Sequence, residues 1–191
     1  GAAMSKSGRI TVLGIFALAL GLGLFNLLYQ RQRTSRSIAY WGAAHRAMVA
    51  AADVEVLLLE PAATTSSSNE PPSDETSPPP DGETLAVGDD LYRVTDKKDG
   101  NESRGLLHVR RALLDDGAFQ WDARPPAEPP SYRYAVRFRG DPAASHPLPP
   151  AVVLFNDDGS WVRSLDANHP LAVKNNELGK PPFAPFLAEQ F

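Results

Sequence analysis

Arg133, Arg137 and Arg139 occupy alternate places in Tyr132-Arg-Tyr-Ala-Val-Arg-Phe-Arg139, so an extended chain would turn all three to one side. Guanidinium groups in a row grip carboxylates or phosphates in pairs of parallel hydrogen bonds. Arg110 and Arg111 would lengthen that basic strip if their segment folds close by. The plainer account is charge on a solvated strand face that keeps a sheet edge from recruiting another strand. As a binding surface, the strip points to a protein or an acidic component of the cell envelope. Nucleic acid is disfavoured, because the formal charge is −4 and no exposed aromatic residues are interleaved with the arginines.

Other chemistries find less support. The chain has no cysteine, which excludes disulfides, thiolate metal sites and cysteine nucleophiles. His45, His108, His146 and His169 are scattered, with none of the short spacings of a zinc or iron motif. His45 and His108 would have to meet through the fold, and a packed or surface role is the simpler reading for each. Gly100-Asn-Glu-Ser-Arg-Gly105 lacks the lysine of a phosphate loop, and no Gly-x-Ser-x-Gly elbow is present. Asp157-Asp158-Gly159 lacks the further acidic positions of a calcium loop and reads as a hairpin turn. No cofactor and no metal are expected.

The elements that would position these residues follow from periodicity. Ile38, Trp41, His45, Met48 and Ala52 recur at three- and four-residue steps and predict a helix, either continuing from upstream or capped afresh at Thr34 or Ser35. Gly42 within it implies close packing or a local irregularity. Residues 53–60 read as a strand. Residues 61–84 are rich in Pro, Ser, Thr, Asp and Glu, without lysine, arginine or aromatics, and read as a disordered insertion between strands. Leu85–Val87 and Leu91–Thr95 form a predicted hairpin. Leu106, Val109 and Leu113 mark a helix from near Ser103 to a C-terminal cap at Gly117. Tyr132, Tyr134, Val136 and Phe138 should share the buried face of the arginine strand. Ala151–Phe155 and Ser160–Leu165, joined through Asn156–Gly159, complete a three-strand meander. Phe183, Phe186, Leu187 and Phe191 suggest a short closing helix, with Pro185 in its first turn. The expected class is α+β, a mainly antiparallel sheet with helices on one face around one core.

Ahead of this domain, residues 10–29 form 20 uncharged, mostly apolar positions. At ~1.5 Å per residue, such a helix matches a hydrocarbon core of about 30 Å. A transmembrane anchor in contact with lipid is therefore expected at 10–29, with a soluble domain at 30–191. Gly1 to Ala3, before Met4, are taken as a leftover of expression, so that residues 1–9 amount to a short basic tail. A cleaved signal peptide is the alternative, although Gln30-Arg-Gln-Arg33 is a poor cleavage context. Basic residues flank both ends of the span, leaving the positive-inside count level. The nine-residue leader favours a signal anchor in a bacterial inner membrane with the domain outside the cytoplasm. Ala17 with Gly21, and Ala19 with Gly23, place small residues where a second copy of the helix could approach to form a homodimer.

Several pieces resemble an uncharacterised family of bacterial single-pass proteins. They are Tyr40-Trp-Gly42, Val54-Glu-Val-Leu-Leu58, the run from Arg104 to Asp115 with Phe119-Gln-Trp121, and Tyr134-Ala-Val-Arg-Phe138. The resemblance implies an anchored architecture and assigns no functional residue. The expected function is a membrane-tethered, non-catalytic interaction or accessory module. An anchored hydrolase and a structural subunit of a membrane complex are the alternatives.

Overall fold

The computed structural model describes residues 6–62, 82–177 and 179–191. The predicted insertion falls almost wholly on residues 63–81, outside the described residues, but its two ends are structured. Pro61 closes one strand and Thr84 opens the next.

The apolar segment belongs to a 36-residue helix, α1 (Lys6–Trp41). It is long and apolar enough to cross a membrane, and the large residues from Leu13 to Leu28 are all more than half exposed. At ~1.5 Å per residue the helix exceeds the ~30 Å of a hydrocarbon core, and its final turns pack into the domain. It continues directly through Thr34 and Ser35 without a new start there. It stops at Gly42, whose φ of 51° suits glycine and turns the chain into α2 (Ala43–Ala50). Of the expected stripe, Trp41 and Met48 are buried, whereas Ile38 is exposed and Ser37 is buried instead. The break at Gly42 rotates the second half of the stripe relative to the first.

The strands are β1 (Asp53–Pro61), β2 (Thr84–Val87), β3 (Asp90–Asp99), β4 (Phe119–Gln120), β5 (Tyr132–Arg139), β6 (Ala151–Asn156), β7 (Trp161–Ser164) and β8 (Leu171–Val173). They form one sheet in the order β2-β3-β1-β5-β6-β7-β8-β4, and all seven pairings are antiparallel. The remaining helices are α3 (Leu106–Leu114) and α4 (Ala184–Gln190), with Pro185 in the first turn of α4 as expected. The structure is thus α+β. The meander extends past its predicted three strands, because β8 pairs with β7 and β4 closes that edge. The predicted cap at Gly117 is not used: α3 ends at Leu114, and Gly117 lies in a 3-10 turn spanning Asp116–Ala118. Asp115 opens that turn, its carboxylate accepting the Gly117 N–H, and ends the helix before Gly117 is reached.

The expectation of one core needs correction, since the sheet is apolar on both faces. On one face α2, α3, α4 and the end of α1 cover Val54, Val56, Val136, Phe138, Val153 and Phe155. On the other, the curled β2–β3 hairpin folds over Leu57, Leu59, Ala135 and Leu154. Full burial of each large side chain stabilises by roughly 1.5–3 kcal/mol. The second cluster therefore explains why the long hairpin stays with the sheet. The alternation in β5 also departs from expectation. A bulge at Arg133 shifts the register against β6, so Tyr132 joins the second cluster while Tyr134 and Val136 stay on the helix side.

Candidate functional site

The arginine strand is not an edge. β5 lies between β1 and β6, and β1 presents carboxylates in register: Asp53 lies opposite Arg139, and Glu55 opposite Arg137. Directly opposed charges of opposite sign attract across a strand pair. Arg137 is buried, with a side chain only 9% exposed, and its guanidinium bonds Glu55 at 3.2 Å and also Glu83. Arg139 reaches Glu55 at 2.8 Å and Asp53 at 3.7 Å. Glu83 also takes a bond from Lys97. Hydrogen bonds from Arg137 and Lys97 lower the Glu83 carboxyl to about 2, against the smaller upward effect of its burial.

Arg133 stands apart on its bulge, largely exposed and 3.3 Å from Asp157 in the β6–β7 turn. Arg110 lies on the other side of the sheet, over the Phe138 ring with its guanidinium 3.4 Å from the Ala51 carbonyl. Arg111 is exposed on α3, against α1. The structure therefore gathers Arg137 and Arg139 into an internal network and keeps Arg110 and Arg111 away from it. The alternation Asp53-x-Glu55, complementary to Arg137-x-Arg139, was the available clue to this network. Strand order was needed to use it.

A second polar constellation, absent from the sequence reading, joins α1 to the domain. The Asp116 carboxylate accepts the backbone N–H groups of Arg36 at 3.0 Å and Ser37 at 2.7 Å. Amides inside a regular helix bond the carbonyls four residues back; α1 runs unbroken through Trp41, and the Asp116 carboxylate adds a second acceptor, from another element, to two of its amides. Burial acts to raise the Asp116 carboxyl, but the bonds from Arg36 and Ser37 outweigh it and hold it below the usual range. Arg33 pairs with Asp115. Below these contacts the Trp41 indole donates to the Leu113 carbonyl at 2.6 Å, and the Tyr40 hydroxyl to the His169 carbonyl at 2.8 Å. Burial pushes the Tyr40 hydroxyl up, so it stays a neutral donor. Tyr40, Trp41, Phe119 and Trp121 meet edge to face around this junction.

His108, His146 and His169 are exposed and His45 is partly buried. His169 lies against the Tyr40 ring, and partial burial lowers the pKa of His45. His108 shares a cleft of about 260 Å³ with Arg104 and Glu189, between α3 and α4. Among the described residues no three His, Asp or Glu side chains are grouped to hold a metal. Asp158 caps its hairpin by accepting the Ser160 N–H at 2.9 Å.

These features define an α+β domain of curled antiparallel sheet, locked by charge and aromatic contacts to the end of a long apolar helix. Compared with known proteins, the chain matches no family model, no curated protein and no solved structure. Fold-level analogy therefore adds nothing, and function has to be argued from the geometry.

Proposed function

We propose that the chain is a membrane-tethered, non-catalytic interaction module, anchored once through residues 10–29 in a bacterial inner membrane, with its domain outside the cytoplasm. One observation carries the reading. The apolar part of α1 leaves its large side chains exposed while the domain completes its cores without them. A contiguous apolar surface of that length is stable in lipid and unfavourable in water. The junction at Asp116 and Trp41 favours a helix that holds the domain at a set angle as well as tethering it.

The partner in this reading is a protein or an acidic envelope component. Arg111 is the strip arginine open to such a partner; Arg133 is exposed in a surface pair with Asp157, whereas Arg137 and Arg139 are engaged with carboxylates in the sheet network. Gly21 and Gly23 have open space around them on α1, which favours approach of a second copy of the helix. An anchored hydrolase is less favoured, since among the described residues His108 has Arg104 and Glu189 as its polar companions in the cleft.

Carbonate washing of membranes from cells producing the intact chain tests the anchor. Retention in the pellet is expected, and quantitative release with residues 10–29 still attached would end the proposal. Protease protection of the C-terminus then tests its side; degradation only after the outer face is opened to protease is expected, and a cytoplasmic C-terminus would reverse the orientation. Pull-down with the anchor intact reports partners, and a copurifying stoichiometric membrane complex would favour a structural-subunit role.

A further inference from the structure

Where α1 leaves its apolar stretch it meets the C-terminal end of α3 in a cleft of about 470 Å³. Asn26, Tyr29 and Arg33 form one wall, and Arg111, Leu114 and Asp115 the other. An adjoining cleft of about 400 Å³ shares Arg33 and Arg111 and brings Lys174 to the same place. The depth of this site follows from helix geometry. A bilayer measures about 40–45 Å with its headgroups against about 30 Å for its hydrocarbon, leaving roughly 5–7 Å of headgroup layer per side. At ~1.5 Å per residue that is about three to five residues past the last apolar position, Leu28, and its far end reaches Arg33. The cleft therefore opens at headgroup depth, lined by Tyr29, Arg33 and Arg111.

Charge in the cleft is unevenly satisfied. Asp115 is engaged by Arg33, and Asp116 by the amides of Arg36 and Ser37. Arg111 and Lys174 are exposed, and among the described residues neither is paired with a carboxylate. The carboxylates nearby are thus spent on internal donors while cationic side chains from α3 and the chain after β8 stay open. Leu114 and the Tyr29 ring supply apolar wall beneath them. A cationic rim over an apolar floor, at the depth where lipid phosphates lie, is complementary to an anionic phospholipid.

We propose that this cleft seats the headgroup of an anionic phospholipid, its phosphate held by Arg111 with Arg33 and Lys174 beside it. The proposal rests on the anchoring reading above. It makes the lipid part of the junction between helix and domain, so that membrane composition sets how firmly the domain is seated. Free phosphate shares the ligand chemistry but lacks the acyl chains that would carry it to this depth.

The test uses the full-length chain in a neutral detergent, titrated separately with short-chain phosphatidylglycerol, phosphatidylcholine of equal chain length, and inorganic phosphate. The thermal midpoint serves as the readout. Phosphatidylglycerol is expected to raise it saturably, with the other two ineffective at matching concentration. One basic side chain near an anionic surface corresponds to about a fivefold change in affinity. Arg111→Ala should therefore weaken the response about fivefold and Arg111→Lys should largely restore it, while exposed Arg93→Ala, on β3, leaves it unchanged. An unchanged response in Arg111→Ala overturns the proposal, as does an equal effect of phosphatidylcholine or of phosphate. Flotation with vesicles of either lipid separates the two readings. A chain that floats with both but prefers neither in the titration retains its anchor and loses this site. One that prefers phosphatidylglycerol yet is released by carbonate keeps the site and loses the anchor.

Discussion

Replacing Glu83 with glutamine removes one charge from the buried network while keeping the shape of the side chain. Glu83 is the described residue that ties the chain to Arg137 and Lys97 just before β2 begins. Its carboxyl is lowered from 4.5 to about 2, which in a dry site would correspond to ~3 kcal/mol. The side chain is 31% exposed, so solvent screening reduces the stabilisation to about 1–2 kcal/mol. A folded-state value below the unfolded one means that this contribution is complete above the unfolded value. It fades as pH falls through the folded value, here between 4.5 and about 2. Glu83→Gln should accordingly lower stability by about 1–2 kcal/mol near neutral pH, or about 2–8 °C in thermal midpoint. It should also remove much of the acid dependence in that window, so that wild type and variant converge at its lower end. Urea unfolding followed by tryptophan fluorescence at stepped pH measures both effects. Equal stability at neutral pH, or an undiminished acid slope in the variant, would refute the reasoning.

Three further outcomes are expected. Asp116→Ala should cost about 1 kcal/mol, the usual net worth of a partly exposed hydrogen-bond contact. It should also broaden the distance distribution between spin labels at Leu24 and Leu91, which a chain without native cysteine makes simple to place; an unchanged width would show that Asp116 does not hold the helix angle. Trp41→Phe orphans the Leu113 carbonyl and leaves unfilled volume in the core, for a loss of about 2 kcal/mol in denaturant unfolding. Gly159→Ala forces a side chain onto a φ of 71° and brings its Cβ 3.3 Å from the Ala184 nitrogen. A drop of about 1–3 kcal/mol in melting experiments is expected.

Much of the secondary structure was legible from local pattern. The uncharged run inside α1, the alternation in β5, the Asn156–Gly159 turn and the aromatic spacing of α4 each depend on residues a few places apart. Their signals are the two- and 3.6-residue periods and the turn preferences of particular side chains. The same pattern misplaced Tyr132, because a single extra residue at Arg133 inverts everything before it and leaves no mark in composition.

The sequence by itself determined where the chain is apolar, where it turns, and that arginine accumulates on one strand. Tertiary structure alone decided what those arginines do. Whether Arg137 faces solvent or Glu55 depends on β1 and β5 pairing in one register across more than 80 intervening positions, a choice made by burying both sheet faces at once. Asp116 likewise acquires its role only when the end of α3 is packed beside α1, since the amides it bonds belong to a segment 79 and 80 residues away. Charge complementarity between such distant segments has no local period to reveal it.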